Sequence, residues 1–396
     1  MGPRAVALVV LLAAATAAAQ PAVTDDRPQV ELVTIGVGSL VWERHGHIAI
    51  CVTQHGLKSS LVHHEPFDRC FNYGYADFLH PLKMSWGFVR GTHSFWAGTQ
   101  TPEALYENYL EEDRTIWVQP IPLDAAQKTK LIAKLEDDIL DAHKYYAYDH
   151  FSDNCTTRIR DILDNVTDHA LAKMPETSDG RTFRDYAREG FSGMEMPLVV
   201  TDLILGRTGD RVPSYWDRMF LPQFLREAVQ TKWGVQPYKL YERDECIRDD
   251  DRSCTDRGIP TAPHPNSGRW MFALVIFMLT SPVWITRAGG RLQRTGLAIA
   301  VVPYWLLGVA LTLLAIASPL PYFRMNELVL VWLPLDLAIV FLPAAAQVAF
   351  ARVRVAMLAL TVALMLAGVL HQPLWVPLLW PLIPMATVAF WPRRWR

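Results

Sequence analysis

The chain has 396 residues, of which 51% are hydrophobic, and a formal net charge of −2. This charge is divided unevenly: residues 269–396 contain ten arginines, no lysine and two acidic residues, so they carry +8 and the preceding residues carry −10. A nucleic-acid-binding protein needs a basic face on its soluble part, so the acidic balance before residue 269 excludes that class.

The first nineteen residues have the composition of a secretory signal peptide. Arg4 precedes an apolar run, Ala5–Leu12, and small residues follow up to Ala19. A basic start, a short apolar run and a small-residue cleavage site are typical of export signals. We therefore predict a signal peptide over residues 1–19, with an uncleaved anchor helix as the alternative, and export of the segment that follows.

Residues 23–259 are predicted to form an exported α+β domain. Four runs have the pattern of strands: Val30–Val37, His47–Val52, Phe71–Tyr75 and Thr115–Pro120. Three helix starts are marked by capping residues: Thr101 before Pro102, Asp124 with Gln127 as a capping box, and the segment Asp153-Asn154-Cys155.

Five cysteines in an exported chain indicate disulfides and one remaining thiol. Cys246 and Cys254 bracket a short acidic loop, and Cys51 and Cys70 flank a loop between two predicted strands. The pairing with the shortest loops joins Cys246 to Cys254 and Cys51 to Cys70. Cys155 is then the free thiol.

Residues 260–268 form a proline-rich linker to a predicted membrane domain over residues 269–396. Each of five apolar runs there approaches the ~20 residues needed to cross a bilayer: Trp270–Thr286, Leu297–Ala317, Leu328–Val348, Val355–Leu370 and Leu374–Trp391. Arginines follow the first, third and fifth runs. The positive-inside rule places those ends in the cytoplasm and the soluble domain outside.

Cys155 is the strongest candidate for a reactive group. It begins a predicted helix, where unpaired backbone N–H groups and the helix dipole favour a thiolate and can stabilise an oxyanion. His47, at the start of a predicted strand, is the candidate base. The alternatives are a structural or disulfide-bonded Cys155 and a histidine with no catalytic part.

A third polar group is expected to orient the histidine. Asn72, on the strand-like run downstream of His47, is the first choice, and Asp77 and His64 are the rivals. Two charged residues also invite a functional reading, each with a structural alternative. Arg158, with Arg160, could hold a lipid phosphate or pair with Asp161 and Asp164, and Asp336 lies inside a membrane run, where a carboxylate is costly.

Several of these segments resemble known families. His47-Ile48-Ala49-Ile50-Cys51-Val52 resembles the His-x-Ala-Ile-Tyr-Val strand of circularly permuted papain-like (NlpC/P60-type) acyltransferases, such as the lecithin–retinol acyltransferase group, in which an Asn-Cys helix start follows. More specifically, four motifs together resemble the Lnb N-terminal periplasmic domain family: Gly46-His47, Phe71-Asn72-Tyr73-Gly74, the run from Asn154 to Asp161, and Leu205-Gly206-Arg207 with Asp210. The resemblance covers about residues 30–235 and extends weakly through Asn326 and Trp332-Leu333-Pro334-Leu335.

The resemblance implies a permuted papain-like domain above a membrane bundle, in a multi-pass protein of the bacterial inner membrane with its N-terminal domain in the periplasm. It implies a lipoprotein N-acyltransferase or a relative acting on another acyl lipid, with Cys155 as nucleophile and His47 as base. Asn154, Arg158 and Tyr73 are predicted to contact the substrate. No cofactor or metal is expected, and the expected partners are membrane lipid and a lipoprotein. Oligomeric state is left open.

Two other functions stay open from the residues alone. A thiol hydrolase (a peptidase, amidase or lipase) would use the same Cys155 and His47 with water as the acceptor. A non-enzymatic envelope protein would use Cys155 structurally and the bundle for assembly or transport.

Overall fold

The structure, a computed structural model, describes residues 28–63, 65–244, 264–289 and 293–391. The predicted signal peptide, the predicted Cys246–Cys254 bridge, the rival His64 and residues 260–263 of the linker lie outside these residues.

Seven strands form one antiparallel sheet within the described residues, in the order β6-β4-β3-β2-β1-β5-β7. They are β1 Gln29–Ile35, β2 His47–Thr53, β3 Arg69–Tyr75, β4 Phe95–Gln100, β5 Ile116–Pro120, β6 Tyr145–Tyr146 and β7 Tyr238–Tyr241. The four predicted strands are confirmed, and so is the α+β class. The permuted papain-like topology stays a prediction.

Helices cover both faces of this sheet. They are α1 Leu57–Ser60, α2 Pro81–Val89, α3 Pro102–Glu111, α4 Ala125–Asp138, α5 Cys155–Val166, α6 Phe183–Gly190, α7 Glu195–Ile204, α8 Tyr215–Arg218 and α9 Pro222–Trp233. All three predicted helix starts are confirmed, because the side chains of Thr101, Asp124 and Asn154 accept hydrogen bonds from the first turns of α3, α4 and α5.

The two faces of the sheet have separate cores. On one face α5 packs against β2 and β3, burying Ile48, Ile50 and Phe71. On the other face Ala49, Cys51 and Cys70 pack with Leu105 of α3. Cys51 and Cys70 are direct partners in the β2–β3 ladder and form a disulfide, so this predicted bridge is confirmed.

The C-terminal part is helical. Its helices are α10 Arg269–Gly289, α11 Gln293–Ala317, α12 Pro321–Arg324, α13 Leu328–Val331, α14 Ala338–Phe341, α15 Ala344–Leu366 and α16 Trp375–Phe390. Three of them, α10, α11 and α15, are long and apolar enough to cross a membrane, and α16 is a shorter apolar helix.

The third predicted span differs from the structure. Residues 328–341 form α13, a 3-10 turn at Pro334–Leu337 and α14, and α15 then runs through the predicted boundary between the third and fourth spans. Pro334 and Pro343 explain the breaks, because proline removes a backbone donor and disfavours helix in the residue before it.

This difference also changes the role of two arginines. Arg352 and Arg354 lie within α15 instead of at a helix end. Arg354 is buried and donates to Asp336 at 2.5 and 2.9 Å. The pair neutralises a carboxylate that would be costly in the bundle, so Asp336 has a structural role. Arg287 and Arg294, in the last turn of α10 and the first turn of α11, keep the positions that the topology prediction used.

The sheet domain and the bundle are in direct contact. Gly206 donates its N–H to Tyr322 O at 2.7 Å, and a Cβ on Gly206 would lie 2.4 Å from Met325 O. The Asn326 side chain donates to Leu203 O at 2.7 Å. The motif around Gly206 and the segment from Asn326, which carried the family resemblance in the two halves of the chain, therefore meet at this interface.

Asp202 of α7 ties the first bundle helix to the domain. Its carboxylate accepts from Arg188 of α6 at 2.7 Å and from Arg269 at the start of α10 at 2.8 Å. The Asp202 side chain is only 10% exposed, so both guanidinium groups depend on it for charge balance.

Candidate active site

A cavity of about 720 Å³ lies where the sheet domain meets the bundle. Its wall includes Cys155, His47 and Asn72 from the sheet domain, and Tyr322 and Phe323 from α12 of the bundle. The structure thus brings the three predicted catalytic residues to one cavity that also has a wall from the membrane part.

Cys155 is the first residue of α5 and has no disulfide. Asn154 caps the helix, since its Oδ1 accepts from the N–H groups of Thr156 at 2.8 Å and Thr157 at 2.9 Å. The Asn154 Nδ2 group donates to His150 O and Phe220 O. Asn154 lines the cavity, and both polar atoms of its side chain are hydrogen-bonded within the protein at the start of α5.

The helix start does not give the resting thiolate that the sequence favoured. Burial raises the pKa of the Cys155 thiol, although hydrogen bonds from the Thr156 hydroxyl and the Ile48 N–H act in the opposite direction. The N–H groups of Thr156 and Thr157 are also occupied by the Asn154 cap. Desolvation therefore outweighs the helix terminus, and Cys155 rests as a neutral thiol.

His47 is held by Asn72. Its Nε2 donates to Asn72 Oδ1 at 3.1 Å, and Asn72 Nδ2 donates to Cys70 O at 3.4 Å, which orients the amide. Because Nε2 carries the proton in this arrangement, Nδ1 is left as the acceptor. The rival Asp77 does not take this place, because it accepts from the exposed His80.

Burial makes His47 a neutral base. Desolvation, reinforced by the positive charge of Arg114, lowers the pKa of His47 to about 4, while the Asn72 hydrogen bond acts in the opposite direction. Arg114 is itself buried, donates to Gly36 O at 3.0 Å and lies over the Tyr109 ring. At neutral pH the imidazole is uncharged and can accept a proton.

Two residues that were predicted to contact the substrate have hydrogen-bond partners within the protein. Tyr73 lines the cavity, but its hydroxyl donates to Asp138 at 2.8 Å. Arg158 donates to both oxygens of Asp153 at 2.7 and 3.0 Å and stacks on the Tyr146 ring. Both arginines thus form salt bridges, as the alternative to a lipid-phosphate contact predicted, but only one of the two predicted partners is involved. Arg160 pairs with Asp161, whereas Asp164 accepts from His169.

Other residues of the site were missed by the sequence analysis. Tyr109, Tyr148 and His150 line the cavity. Burial raises the pKa of Tyr146 and Tyr148, and a charge on Cys155 would raise it further. No local pattern marks them, because they reach the site through strand pairing and loop packing. Within the described ranges, no group of three or more His, Cys, Asp or Glu residues is placed to bind a metal ion.

Comparison with known proteins agrees with the motif resemblance. Residues 17–187 match the model of the Lnb N-terminal periplasmic domain. Neither the curated proteins nor the solved structures contain a match to the chain. The match includes His47, Asn72 and Cys155, and with the three apolar helices it indicates a membrane protein with a periplasmic N-terminal domain. Residues 17–187, less than half of the chain, are thus similar to the Lnb N-terminal periplasmic domain family.

Proposed function

We propose that the protein is a membrane-anchored thiol acyltransferase of the bacterial inner membrane that moves an acyl chain from a lipid ester to an amine. The observation that carries this proposal is the shared cavity: a free cysteine at a helix start, an Asn-held histidine and residues of the membrane part line the same space. The family match and the permuted papain-like resemblance support the same chemistry.

In the first half-reaction, Cys155 and His47 start neutral. Nδ1 of His47 takes the thiol proton as Sγ attacks the ester carbonyl, which forms a C–S bond and a tetrahedral oxyanion. The oxyanion collapses, the ester C–O bond breaks, and the imidazolium returns the proton to the departing alkoxide. The products are a thioester on Cys155 and a lipid alcohol. Asn72 keeps the ring in the tautomer that this proton transfer needs.

In the second half-reaction, an amine attacks the thioester carbonyl and His47 accepts its proton. The C–S bond breaks, an amide forms, and the proton passes to the Cys155 sulfur. The α-amino group of a lipoprotein's terminal cysteine is the proposed acceptor, which follows from the family resemblance. Water as acceptor would make the same site a thiol hydrolase.

We propose the N–H of Cys155 and the hydroxyl of Tyr146 as donors for the oxyanion. Tyr146 does not line the cavity itself, and its hydroxyl lies behind Gly74, which does. The Tyr146 hydroxyl is buried beside Gly74, which adjoins Cys155, and its proton has no acceptor among the described residues. A preorganised donor of this kind stabilises developing charge without reorganisation.

The experiment is to trap the acyl-enzyme. Full-length protein in detergent is incubated with a phospholipid carrying an isotope-labelled acyl chain and no amine, and peptides are mapped by mass spectrometry. We expect a hydroxylamine-sensitive acyl group on Cys155 that is absent in Cys155→Ser and formed about 10²-fold more slowly or worse in His47→Ala. His143→Ala, which removes an exposed histidine paired with Asp137, is the matched control and leaves the rate unchanged.

Later addition of an amine-bearing lipopeptide separates the acceptors. Transfer of the label to the amine supports the acyltransferase, whereas release of free fatty acid alone identifies a hydrolase. Absence of any acyl group on Cys155 rejects thiol chemistry and leaves the non-enzymatic envelope protein.

A further inference from the structure

The sheet domain exposes large apolar side chains around the mouth of the cavity. Seven such residues come from two segments, and we call them the apolar rim: Leu40, Val41, Trp42, Phe78, Leu79, Leu82 and Trp86. Leu79 and Leu82 are 89% and 87% exposed. Contact of these leucine side chains with water is unfavourable in free energy. The rings of Trp42 and Phe78 stack at 5.3 Å, so the two segments form one surface.

The apolar rim adjoins the bundle. Phe88 and Val89, on the inner side of α2, pack against a buried cluster that includes Phe323 of α12, and Leu314 of α11 packs against the same cluster. The rings of Phe88 and Phe323 are 6.2 Å apart, and the loop after α2 touches Pro319, since a Cβ on Gly91 would lie 2.5 Å from that ring. Helix α2 therefore rests on the domain-side end of a membrane helix.

The exposed side chains of α11 indicate at which depth of the bilayer α2 lies. Near its end, Leu313 and Ile316 are 60% and 76% exposed on an apolar helix long enough to span, so these side chains face lipid. The exposed residues of α2 lie beside that end. The rim thus continues the lipid-facing surface of the bundle at the membrane boundary.

The charges on α2 fit the same location. Lys83 is exposed on the helix that carries Leu82 and Trp86. Arg90, the residue that follows this helix, is also exposed, and its guanidinium lies 5.9 Å from the Trp86 ring. Tryptophan next to lysine or arginine is typical of the headgroup layer, where the ring is partly immersed and the cation meets lipid phosphate.

The rim is also part of the cavity wall. Leu40, Val41, Trp42 and Phe78 line the cavity that contains Cys155. Met84 and Phe88 of α2 line it as well. Helix α2, which packs beside the end of α11, thus also forms part of the wall of the cavity that contains the thiol.

We infer that the apolar rim is immersed in the periplasmic leaflet and forms a lateral portal through which a lipid acyl chain enters the cavity from the bilayer. Immersion is supported by the exposure of the apolar rim and by the position of α2 beside α11. The passage of the acyl chain rests on the proposed function.

Immersion is tested with nitroxide labels on the full-length protein in nanodiscs of phosphatidylethanolamine and phosphatidylglycerol. Leu82→Cys and Trp86→Cys are placed on a Cys155→Ser background, which is also measured alone. Val62→Cys and Phe67→Cys are matched controls, since these residues are 75% and 71% exposed but lie between β2 and β3, at the opposite end of β2 from His47.

We expect labels at positions 82 and 86 to collide with oxygen more than with a water-soluble nickel chelate, and labels at 62 and 67 to show the reverse. Equal nickel accessibility at all four positions would overturn the immersion. Nickel protection at 82 and 86 without increased oxygen collision would point to a protein partner or a second copy of the chain, and would overturn it too.

Entry is tested by labelling of Cys155 in the same nanodiscs with two maleimides, one on a long acyl chain and one soluble in water. In the double variant Leu82→Asp/Trp86→Asp we expect the acyl-chain probe to react at least about tenfold more slowly and the soluble probe to react at an unchanged rate. Val62→Asp/Phe67→Asp is the control for added charge. An unchanged acyl-probe rate would overturn the portal, and equal slowing of both probes would show general damage to the site and overturn it as well.

The two proposals fail in distinguishable ways. If Cys155 reacts with neither the acyl-chain probe nor a phospholipid in the parent protein, the proposed function fails, while the nitroxide measurement still decides where the rim lies.

Discussion

At the scale of single residues, burial governs both proposed reactive groups. It raises the pKa of Cys155 and lowers that of His47, so the resting pair is a neutral thiol and a neutral imidazole. The thiol proton is then transferred to His47 at the same time as the sulfur attacks the ester carbonyl. A neutral pair is less prone to chance alkylation or oxidation than a standing thiolate, because the thiolate is the nucleophile.

The pH dependence of acyl-enzyme formation follows from His47. The base must be unprotonated, and its pKa lies at about 4, below the ordinary 6.5. We expect kcat/KM for a short-chain soluble ester to stay constant from pH 7 down to about 5 and to fall as pH passes through about 4. An acid limb near 6.5 would show that His47 is not the buried base. Asn72→Ala removes the hydrogen bond that raises the pKa of His47, so we expect the acid limb of the pH profile of this variant to lie at a lower pH than that of the parent protein.

Tyr146→Phe tests the proposed oxyanion donor. Loss of one such donor typically costs about 10²-fold in kcat, with little effect on substrate binding. The matched control is Tyr186→Phe, a buried tyrosine that does not line the cavity and whose hydroxyl donates to Asp179; we expect it to leave kcat unchanged. A kcat for Tyr146→Phe equal to that of the parent protein would reject Tyr146 as an oxyanion donor.

At the scale of elements, the close approach of Gly206 to the bundle is the most sensitive contact. Gly206→Ala would place a methyl group 2.4 Å from Met325 O, which is backbone and cannot rotate away. We expect a loss of about 1–3 kcal/mol in stability, measured as a lower Tm of the protein in detergent. Gly209→Ala in the same turn is the control, since its nearest neighbour is the Leu205 side chain at 3.1 Å. Equal Tm values for the two variants would contradict this interface.

The elements predicted correctly are those encoded locally. Asn154, Asp124 and Thr101 cap helices through bonds to residues two or three positions ahead, so the sequence alone reveals them. Cys51 and Cys70 could be paired because they lie on strands joined by one short connection.

The features that could not be predicted depend on distant segments. The depressed pKa of His47 comes from burial and from Arg114, which lies far along the chain. The apolar run from Leu328 was predicted as one span because mean hydropathy does not reveal where prolines interrupt a helix. It also does not reveal that Asp336 pairs with Arg354. Helix α2 carries no alternating pattern, because it is apolar on both its packed and its exposed sides.

At the scale of the whole molecule, Asp202 links the domain to the first membrane helix. Asp202→Ala leaves Arg188 and Arg269 without their shared carboxylate. Breaking a buried charge pair in this way costs about 3–5 kcal/mol, so we expect a markedly lower Tm in detergent. Asp185→Ala, which removes an exposed helix-cap partner of Thr182, is the control. A Tm for Asp202→Ala no lower than that of the control would mean that the domain and α10 are joined by other contacts.

The cavity wall supplied by α12 has a consequence for biogenesis. Tyr322 and Phe323 are synthesised long after Cys155, and the sheet domain precedes α10 and α11 along the chain. During export the domain emerges first, and its chamber stays open on one side until α11 is inserted and brings α12 back to it. Maturation of the thiol site is thereby ordered by membrane integration. A secreted fragment that ends before α10 would hold every proposed catalytic side chain and still lack the chamber in which they are meant to act.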